Sequence, residues 1–353
     1  MRDIGLACAC SSGGEEITEP GAERHTENHG EQAIFQEDWP ALRALEVQAP
    51  AKINLFLAVT GRRADGYHDL VSVAAPLALG DTIRVEEEAG SFSVACDAEG
   101  VPTDASNLVV KAARAFADAA GWRGGARFTI AKRIPAGAGL GGASSDAAAA
   151  LVALNSMAGC PLGAGALARV ASGVGSDCAL FLAGGPVVMR GRGELVEGLD
   201  PAAAGRISGG RVLVFKPAFA ILTPWAYARL AGSPGGYVAP AQAEARLASW
   251  IAGTAPAGEL LFNSMERPAF AKFAALPALL GAIRSRFGVP AGMSGSGSAC
   301  FALLADGADA GPIAGAVREA WGPSAWVVDT RFAWVLAARR PGSPVNRIDR
   351  SPG

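Results

Sequence analysis

A run of glycines and serines at residues 135–146, Pro-Ala-Gly-Ala-Gly-Leu-Gly-Gly-Ala-Ser-Ser-Asp, most constrains what this chain can fold into. It follows the strand-like stretch 127–132 and opens into an alanine-rich segment that ends at Met157. Glycine lacks a Cβ, so its backbone can take positive φ and come close to a ligand. The free amides at a helix start, together with the helix dipole, favour an anion. The pattern therefore predicts a strand, a tight loop and a helix that bind phosphate.

Other interpretations of this loop fit less well. Gly137, Gly139 and Gly142 satisfy G-x-G-x-x-G, but the dinucleotide fingerprint also expects an acidic residue about 20 positions later. No Asp or Glu lies between Asp146 and Asp177. The P-loop motif fails because the chain contains no Gly-Lys pair. An ordinary capped turn would explain one glycine and one serine, but not four glycines and two adjacent serines.

Composition favours a small-molecule partner. A length of 353 residues suggests about two domains, and with half of its residues apolar the chain can bury a large core. The net charge of −2 gives no electrostatic case for nucleic acid. No apolar run reaches the roughly 18 to 20 residues that a membrane helix needs. We expect a small-molecule substrate, no nucleic acid and no membrane.

Residues 1–46 differ in kind from the rest of the chain. They combine charges and glycines without sustained periodicity, which predicts a disordered extension. The segment lacks the basic n-region and continuous apolar h-region of a signal peptide. The cysteines of the chain body stand in apolar surroundings, as is typical of reduced cysteines in a cytoplasmic protein. Residues 341–353 are expected to form a loose tail.

The stretch 45–60 alternates as a strand does, with Ile53, Leu55, Leu57 and Val59 expected on one face. Lys52 and Asn54 are expected together on the other face. A lysine in a strand is commonly a solvated edge residue. Its pairing with Asn54, just after a proline, makes a binding site more plausible.

A polar turn follows at 61–68, Gly-Arg-Arg-Ala-Asp-Gly-Tyr-His. Its density of basic, aromatic and imidazole groups exceeds what a connector needs. His68 is the one histidine outside residues 1–46, so a site with several histidine ligands is not available there.

Asp177 stands among glycines and apolar residues, where a buried carboxylate is costly without a partner. Lys52 or a bound metal would supply that partner. A role as a helix cap is compatible with this interpretation.

Taken in order, five motifs resemble the GHMP kinase superfamily over about residues 47 to 340. They are Pro-Ala-Lys-Ile-Asn-Leu at 50–55, the turn at 61–68, the loop at 135–146, Gly-Ser-Asp at 175–177 and Met-Ser-Gly-Ser-Gly-Ser at 293–298. The first two motifs narrow the resemblance to the branch that acts on cytidine diphosphate methylerythritol. The resemblance implies an α+β, two-domain GHMP kinase fold. Its N-terminal domain, 47–209, would be like domain 2 of ribosomal protein S5, and its C-terminal domain, 210–340, would be ferredoxin-like.

The resemblance also implies a reaction: transfer of the ATP γ-phosphoryl group to the 2-hydroxyl of the methylerythritol part, with Mg²⁺. Lys52 and Asp177 fall on the catalytic pair, and Asn54 would lie close to the acceptor. Ser145 is the candidate for a metal or phosphate contact. The ATP-binding loop would comprise Pro135, Ala136, Gly137, Ala138, Gly139, Leu140, Gly141, Gly142, Ala143, Ser144 and Ser145.

The same resemblance implies which residues bind the cytosine base of the acceptor. His68 falls on the position that reads the cytosine edge, and Tyr67 and Tyr227 would sandwich the base, with Thr223 on the substrate side. Residues 263–266 match a further family segment. The protein is expected to be a monomer or a weak homodimer.

Two motifs depart from the family pattern. The glycine loop has Ala143 where a third glycine is common, and around the aspartate the chain reads Gly-Ser-Asp-Cys-Ala, where Gly-Ala-Asp followed by a residue and proline is usual. Two alternatives stay open: a GHMP kinase acting on mevalonate, homoserine or a sugar, and a non-catalytic nucleotide-binding module. A third, a Rossmann oxidoreductase, is disfavoured by the missing acidic residue and by the absence of a strand–helix unit at the start of the fold. Only the cytidine-directed branch explains Tyr67, His68 and Tyr227 together.

Overall fold

The computed structural model of the protein describes residues 44–333 and 338–339. Nearly all of the predicted extension and all of the predicted tail lie outside these residues. The first strand begins at Ala44, before the predicted start of the folded body at 47. Leu45 explains the difference, because it is 2% exposed and pairs with Val85 of the next strand.

Twelve strands and ten helices make up the described fold. The strands are β1 Ala44–Arg62, β2 His68–Glu88, β3 Phe92–Cys96, β4 Gly125–Ala131, β5 Val187–Arg190, β6 Leu195–Gly198, β7 Arg211–Lys216, β8 Phe262–Asn263, β9 Ala291–Met293, β10 Cys300–Leu304, β11 Trp326–Arg331 and β12 Ala338–Arg339. The helices are α1 Leu108–Ala120, α2 Gly142–Met157, α3 Ala164–Val174, α4 Pro201–Gly205, α5 Thr223–Ala231, α6 Pro240–Ala252, α7 Ala257–Leu260, α8 Glu266–Lys272, α9 Ala275–Phe287 and α10 Gly311–Trp321.

The first sheet has eight strands built around the antiparallel pair β1 and β2. Its main path runs β12-β1-β2-β4-β3, with β5 on β2, β6 on β5, and β8 parallel to β1. β2 is one continuous strand of 21 residues.

The predicted faces of β1 are wrong beyond Asn54. The pairing with β2 shifts between Asn54 and Phe56, which is the irregularity of a β-bulge. Because side chains alternate along a strand, such a shift moves later residues to the opposite face. Ile53 and Leu55 pack in one core cluster, while Leu57 and Val59 pack in the other.

The second sheet has four antiparallel strands in the order β11-β7-β10-β9. Along the chain the elements run β7, helices, β9, β10, α10, β11. This β-α-β-β-α-β arrangement is ferredoxin-like, as predicted for the second half of the chain.

Two short helices follow features of the chain. The first turn of α4 is capped by the Asp200 carboxylate. The helices α8 and α9 are separated at Phe273–Ala274. The domain boundary at 209/210 stays a prediction, because β8 and β12 follow it in the chain yet join the first sheet.

Within the described residues, no helix is long and apolar enough to span a membrane.

Candidate active site

Most of the predicted site residues line one cavity of about 1020 Å³. The cavity takes residues from both halves of the chain, and a pocket of this size is typical of small-molecule sites. The predicted residues that line it are Lys52, Asn54, Tyr67, His68, Pro135 to Ser144, Asp177, Thr223 and Tyr227. Ser145 is not among them.

The glycine loop has the backbone that its composition predicted. Gly137, Gly139 and Gly141 have φ values of 62°, 77° and 74°. A Cβ on Gly139 would lie 2.4 Å from the carbonyl oxygen of Ser294, so only glycine allows this approach. The helix α2 begins directly after Gly141 with no side chain capping it. Its first amides are therefore free for an anion at the cavity.

The second glycine loop, which follows β9, packs against the first. The Ser294 hydroxyl donates a hydrogen bond to the carbonyl oxygen of Gly139 (3.0 Å) and accepts one from the backbone N–H of Asn54 (3.3 Å). Gly295 and Ser296 of this loop also line the cavity. The contact joins the two sheets at the site.

A buried charge cluster anchors the first glycine loop at both of its ends. The Lys132 ammonium forms ion pairs with Asp81 and Asp146, the latter at 2.8 Å. The other oxygen of Asp81 accepts from the backbone N–H groups of Arg133 (2.6 Å) and Ile134 (2.8 Å). The cluster thus ties the residues before the loop and the helix after it to strand β2.

The cluster contains two carboxylates but only one ammonium. Burial, reinforced by the nearby Asp81, raises the pKa of Asp146 to about 7 even though Lys132 opposes the shift. Burial alone would lower the pKa of Lys132, but the two carboxylates outweigh it and raise the pKa. The cluster was not identified from the sequence. Its signal in the sequence was an aspartate just after the mostly apolar run at 70–79.

Lys52, Asn54 and Asp177 meet as the sequence suggested. The Lys52 ammonium lies 3.3 Å from an Asp177 carboxylate oxygen and donates to Asn54 Oδ1 at 2.7 Å. Asn54 in turn donates from Nδ2 to the Ser72 hydroxyl at 2.9 Å. Lys52 is 4% exposed, whereas the Asp177 side chain is 34% exposed and faces the cavity. A buried cation thus holds a carboxylate that substrate can reach.

The helix-cap interpretation of Asp177 is not what the structure shows. The short 3-10 helix Ala179–Leu182 has Cys178 at its N-cap, with no side-chain hydrogen bond there. Asp177 is therefore placed by its ion pair with Lys52.

Two of the aromatic groups lie at the same end of the cavity. The His68 and Tyr227 rings are 4.7 Å apart between centroids, at 32°. Burial, then the charge of Arg62, lowers the pKa of His68, so its imidazole is neutral at pH 7. His68 Nε2 is buried and has no hydrogen-bond partner within the described part of the chain.

The sandwich of Tyr67 and Tyr227 around a base stays a prediction. Tyr67 is 52% exposed, and the Arg192 guanidinium lies 4.9 Å from its ring centroid. Tyr227 is packed on His68. Its pKa is raised by burial and by the Asp177 charge, so the phenol keeps its proton. Thr223 shares a hydrogen bond with the Ser296 hydroxyl (2.8 Å).

The two serines of the loop lie in different environments. Ser145 is fully buried, and its hydroxyl has no partner among the described residues. Ser144 lines the cavity. The metal or phosphate contact expected of Ser145 therefore fits Ser144 better. Within the described residues, no group of three or more His, Cys, Asp or Glu side chains could hold a metal.

Comparisons with known proteins identify the family. The model of the GHMP kinases N terminal domain matches residues 107–185, and that of the GHMP kinases C terminal matches 253–322. The 4-diphosphocytidyl-2-C-methyl-D-erythritol kinase of Synechococcus sp. (strain CC9902) is 38% identical over 276 residues, which cover 74% of this chain and 88% of the relative. The kinase of the same name from Thermus thermophilus is 38% identical over 80% of this chain and 95% of its own length.

Solved structures add two comparisons. A crystal structure of 4-(cytidine 5'-diphospho)-2C-methyl-D-erythritol kinase has a TM-score of 0.63 and 37% identity, covering 81% of this chain and 99% of the other. A homoserine kinase from Cytophaga hutchinsonii has a TM-score of 0.65 at 19% identity, covering 85% of this chain and 98% of the other, and shows the shared fold alone. By the identity and coverage of its relatives, the chain belongs to the 4-diphosphocytidyl-2-C-methyl-D-erythritol kinase family of the GHMP kinases.

Proposed function

We propose that this protein transfers the γ-phosphoryl group of ATP to the 2-hydroxyl of 4-diphosphocytidyl-2-C-methyl-D-erythritol. One observation carries the proposal. A single cavity contains a glycine loop at a free helix start, the Lys52–Asp177 pair and the Tyr67–His68 end. The relatives reported above are named for this kinase. Mevalonate and homoserine contain no base for the aromatic end to bind.

Phosphoryl transfer depends mainly on positioning and charge stabilisation. The free amides of the glycine loop and of α2 would hold the triphosphate. Asp177 would accept the proton of the acceptor's 2-hydroxyl. The hydroxyl oxygen then bonds to the γ-phosphorus as the bond from that phosphorus to ADP breaks. Lys52 holds the Asp177 carboxylate in position through their ion pair and offsets charge that develops on the transferred group. Asn54 would orient the Lys52 side chain, because Asn54 Oδ1 accepts a hydrogen bond from the Lys52 ammonium.

ATP is the donor, and Mg²⁺ is proposed with it. Mg²⁺ is usually held by one or two protein oxygens together with substrate phosphates and water. The cavity fits that pattern, because the Ser144 hydroxyl and the Asp177 carboxylate both line it and would supply such oxygens. When bound, Mg²⁺ would neutralise phosphate charge.

The test is ADP release with the cytidine diphosphate acceptor, beside mevalonate and homoserine. Turnover with the cytidine compound alone is expected. Turnover confined to mevalonate or homoserine would overturn the proposal.

The role of Asp177 is tested with Asp177→Asn. Loss of a general base costs typically 10²- to 10⁴-fold, so kcat should fall by at least about 100-fold while ATP still binds. The exposed Asp118 gives a matched control, since Asp118→Asn lies outside the cavity and should leave turnover unchanged. Full activity of Asp177→Asn would exclude the assigned role.

A further inference from the structure

Four cationic side chains line the cavity, and two of them are already neutralised. Lys52 is paired with Asp177, and Lys132 is paired with Asp81 and Asp146. Arg62 and Arg192 form no salt bridge with any described residue. The cavity therefore offers uncompensated positive charge only from these two arginines, beside the Tyr67–His68 end.

Arg192 is held in place by its backbone. Its turn joins β5 to β6, and the carbonyl oxygen of Gly191 accepts from the N–H of Leu70 on β2 (2.8 Å). The Glu194 carboxylate accepts from the backbone N–H of Arg192 (2.6 Å). The Glu194 charge thus stabilises the turn while the guanidinium remains 4.9 Å from the Tyr67 ring centroid.

The acids around Arg192 are already engaged. The carboxylate of Asp65 feels the charge of Arg192 only weakly, because that charge is the smallest of the causes that lower the pKa of Asp65. That carboxylate accepts hydrogen bonds from the Arg63 side chain (3.1 Å) and the backbone N–H of Tyr67 (3.0 Å). The planar guanidinium of Arg192 is therefore free to bind an anion, and its fork suits phosphate oxygens.

The proposed acceptor contains an anion that no residue has yet been assigned to bind. Its base belongs to the Tyr67–His68 end and its hydroxyl to Lys52–Asp177, so its diphosphate must lie in the same cavity between them. Of the two free cations, Arg62 is exposed at the end of β1, while Arg192 is half-buried and packed on Tyr67. We propose that Arg192 binds the diphosphate of the nucleotide-linked acceptor and so selects for it. This inference rests on the proposed function.

The test compares cytidine 5'-diphosphate with cytidine, measured by calorimetry on the full chain. Loss of a hydrogen bond to a charged group typically weakens binding by about tenfold or more. Arg192→Gln should weaken cytidine 5'-diphosphate by at least about tenfold and cytidine by less than about twofold. The KM of the full acceptor should rise by a similar factor, while the KM of ATP stays unchanged and reports an intact fold.

Two further variants sharpen the result. Arg229→Gln removes an exposed arginine of α5 outside the cavity and should change none of these constants. Arg192→Lys should retain part of the diphosphate affinity, because it keeps the charge but not the planar fork.

Equal losses for cytidine and cytidine 5'-diphosphate would overturn the inference, since Arg192 would then act through Tyr67 and the base. An unchanged affinity for cytidine 5'-diphosphate would also overturn it. These failures differ from failure of the proposed function, which is scored by turnover of the unmutated protein. A wild-type protein that binds cytidine 5'-diphosphate without phosphorylating the acceptor would refute only the function.

Discussion

At the scale of single residues, Ser144 and Ser145 show how one step along a helix changes a role. Successive residues of a helix point about 100° apart, so only one of two adjacent hydroxyls can face the ligand. Ser144 lines the cavity, whereas Ser145 is fully buried with an unpartnered hydroxyl. The motif contains both serines and does not reveal which one reaches the phosphates.

The two serines give a matched pair of variants. Ser144→Ala should lower kcat/KM for ATP by about tenfold or more, because it removes a hydrogen bond to a charged group. Ser145→Ala should leave kinetics within about twofold and should not lower stability, because it removes a buried hydroxyl that has no partner. ADP-release kinetics and urea unfolding measure both effects. The opposite pattern would return the phosphate contact to Ser145.

Residues with unusual local sequence were predictable, and those defined by distant neighbours were not. Lys52 and Asp177 stood out because each is a charge in apolar surroundings. Lys132 and Asp81 are 51 positions apart, and no local pattern links them. Arg192 was likewise not a candidate, since only the packing of its turn on β2 brings it to Tyr67.

At the scale of elements, the cluster of Asp81, Lys132 and Asp146 fixes the glycine loop between β4 and α2. Two carboxylates share one ammonium, so the cluster carries an excess acid in a buried place. Burial and the Asp81 charge raise the pKa of Asp146 to about 7, from an ordinary value near 4. The folded protein then binds a proton that the unfolded chain releases.

This shift predicts a pH dependence of stability. Between pH 4 and 7 the folded state holds more protons at Asp146 than the unfolded state, so this residue's contribution to stability falls as pH rises. Asp146→Asn removes that loss. Its unfolding free energy relative to wild type should rise by roughly 3 kcal/mol from pH 5 to pH 8, at 1.36 kcal/mol per pH unit.

Urea unfolding at several pH values measures this difference. Asp118→Asn is the control for the loss of one carboxylate, because that side chain is exposed. A difference for Asp146→Asn that does not change with pH would show that Asp146 is ionised in the folded protein throughout this range.

The elements themselves were largely predictable, and their interruptions were not. Asn107 caps α1, and the strand, loop and helix around 135–146 form as expected. The bulge in β1 was missed because hydrophobic alternation continues through it in the sequence. Both faces of β1 are buried, so the pattern shows no change where the strand switches cores.

At the scale of the whole molecule, the site depends on contacts between the halves of the chain. The strand β8 pairs with β1, and the Asn263 side chain there donates to the carbonyl oxygens of Met293 (2.7 Å) and Gly295 (2.9 Å). Its Oδ1 accepts from the backbone N–H of Met265 (2.8 Å). The second glycine loop, held by Asn263, contacts the first through Ser294. Asn263 therefore couples the first sheet to the phosphate loop.

Asn263→Ala should affect both stability and ATP use. It leaves two buried carbonyls without their donor, which should cost about 2 to 4 kcal/mol in unfolding free energy. It should also raise the KM of ATP several-fold, because the second glycine loop no longer supports the first. Urea unfolding and ADP-release kinetics at saturating acceptor measure the two effects on the same preparation.

Asn155 separates these effects, because it is as buried as Asn263, at 8% exposure, and its side chain also bonds to backbone groups. It forms two hydrogen bonds, to the backbone N–H and the carbonyl of Leu162, at 3.0 Å each. It lies near the C-terminal end of α2, away from the cavity. Asn155→Ala should therefore lower stability by a comparable amount while the KM of ATP stays at the wild-type value. If both variants left that KM unchanged, Asn263 would stabilise the fold without positioning the phosphate loop, and the coupling between the halves would lie elsewhere.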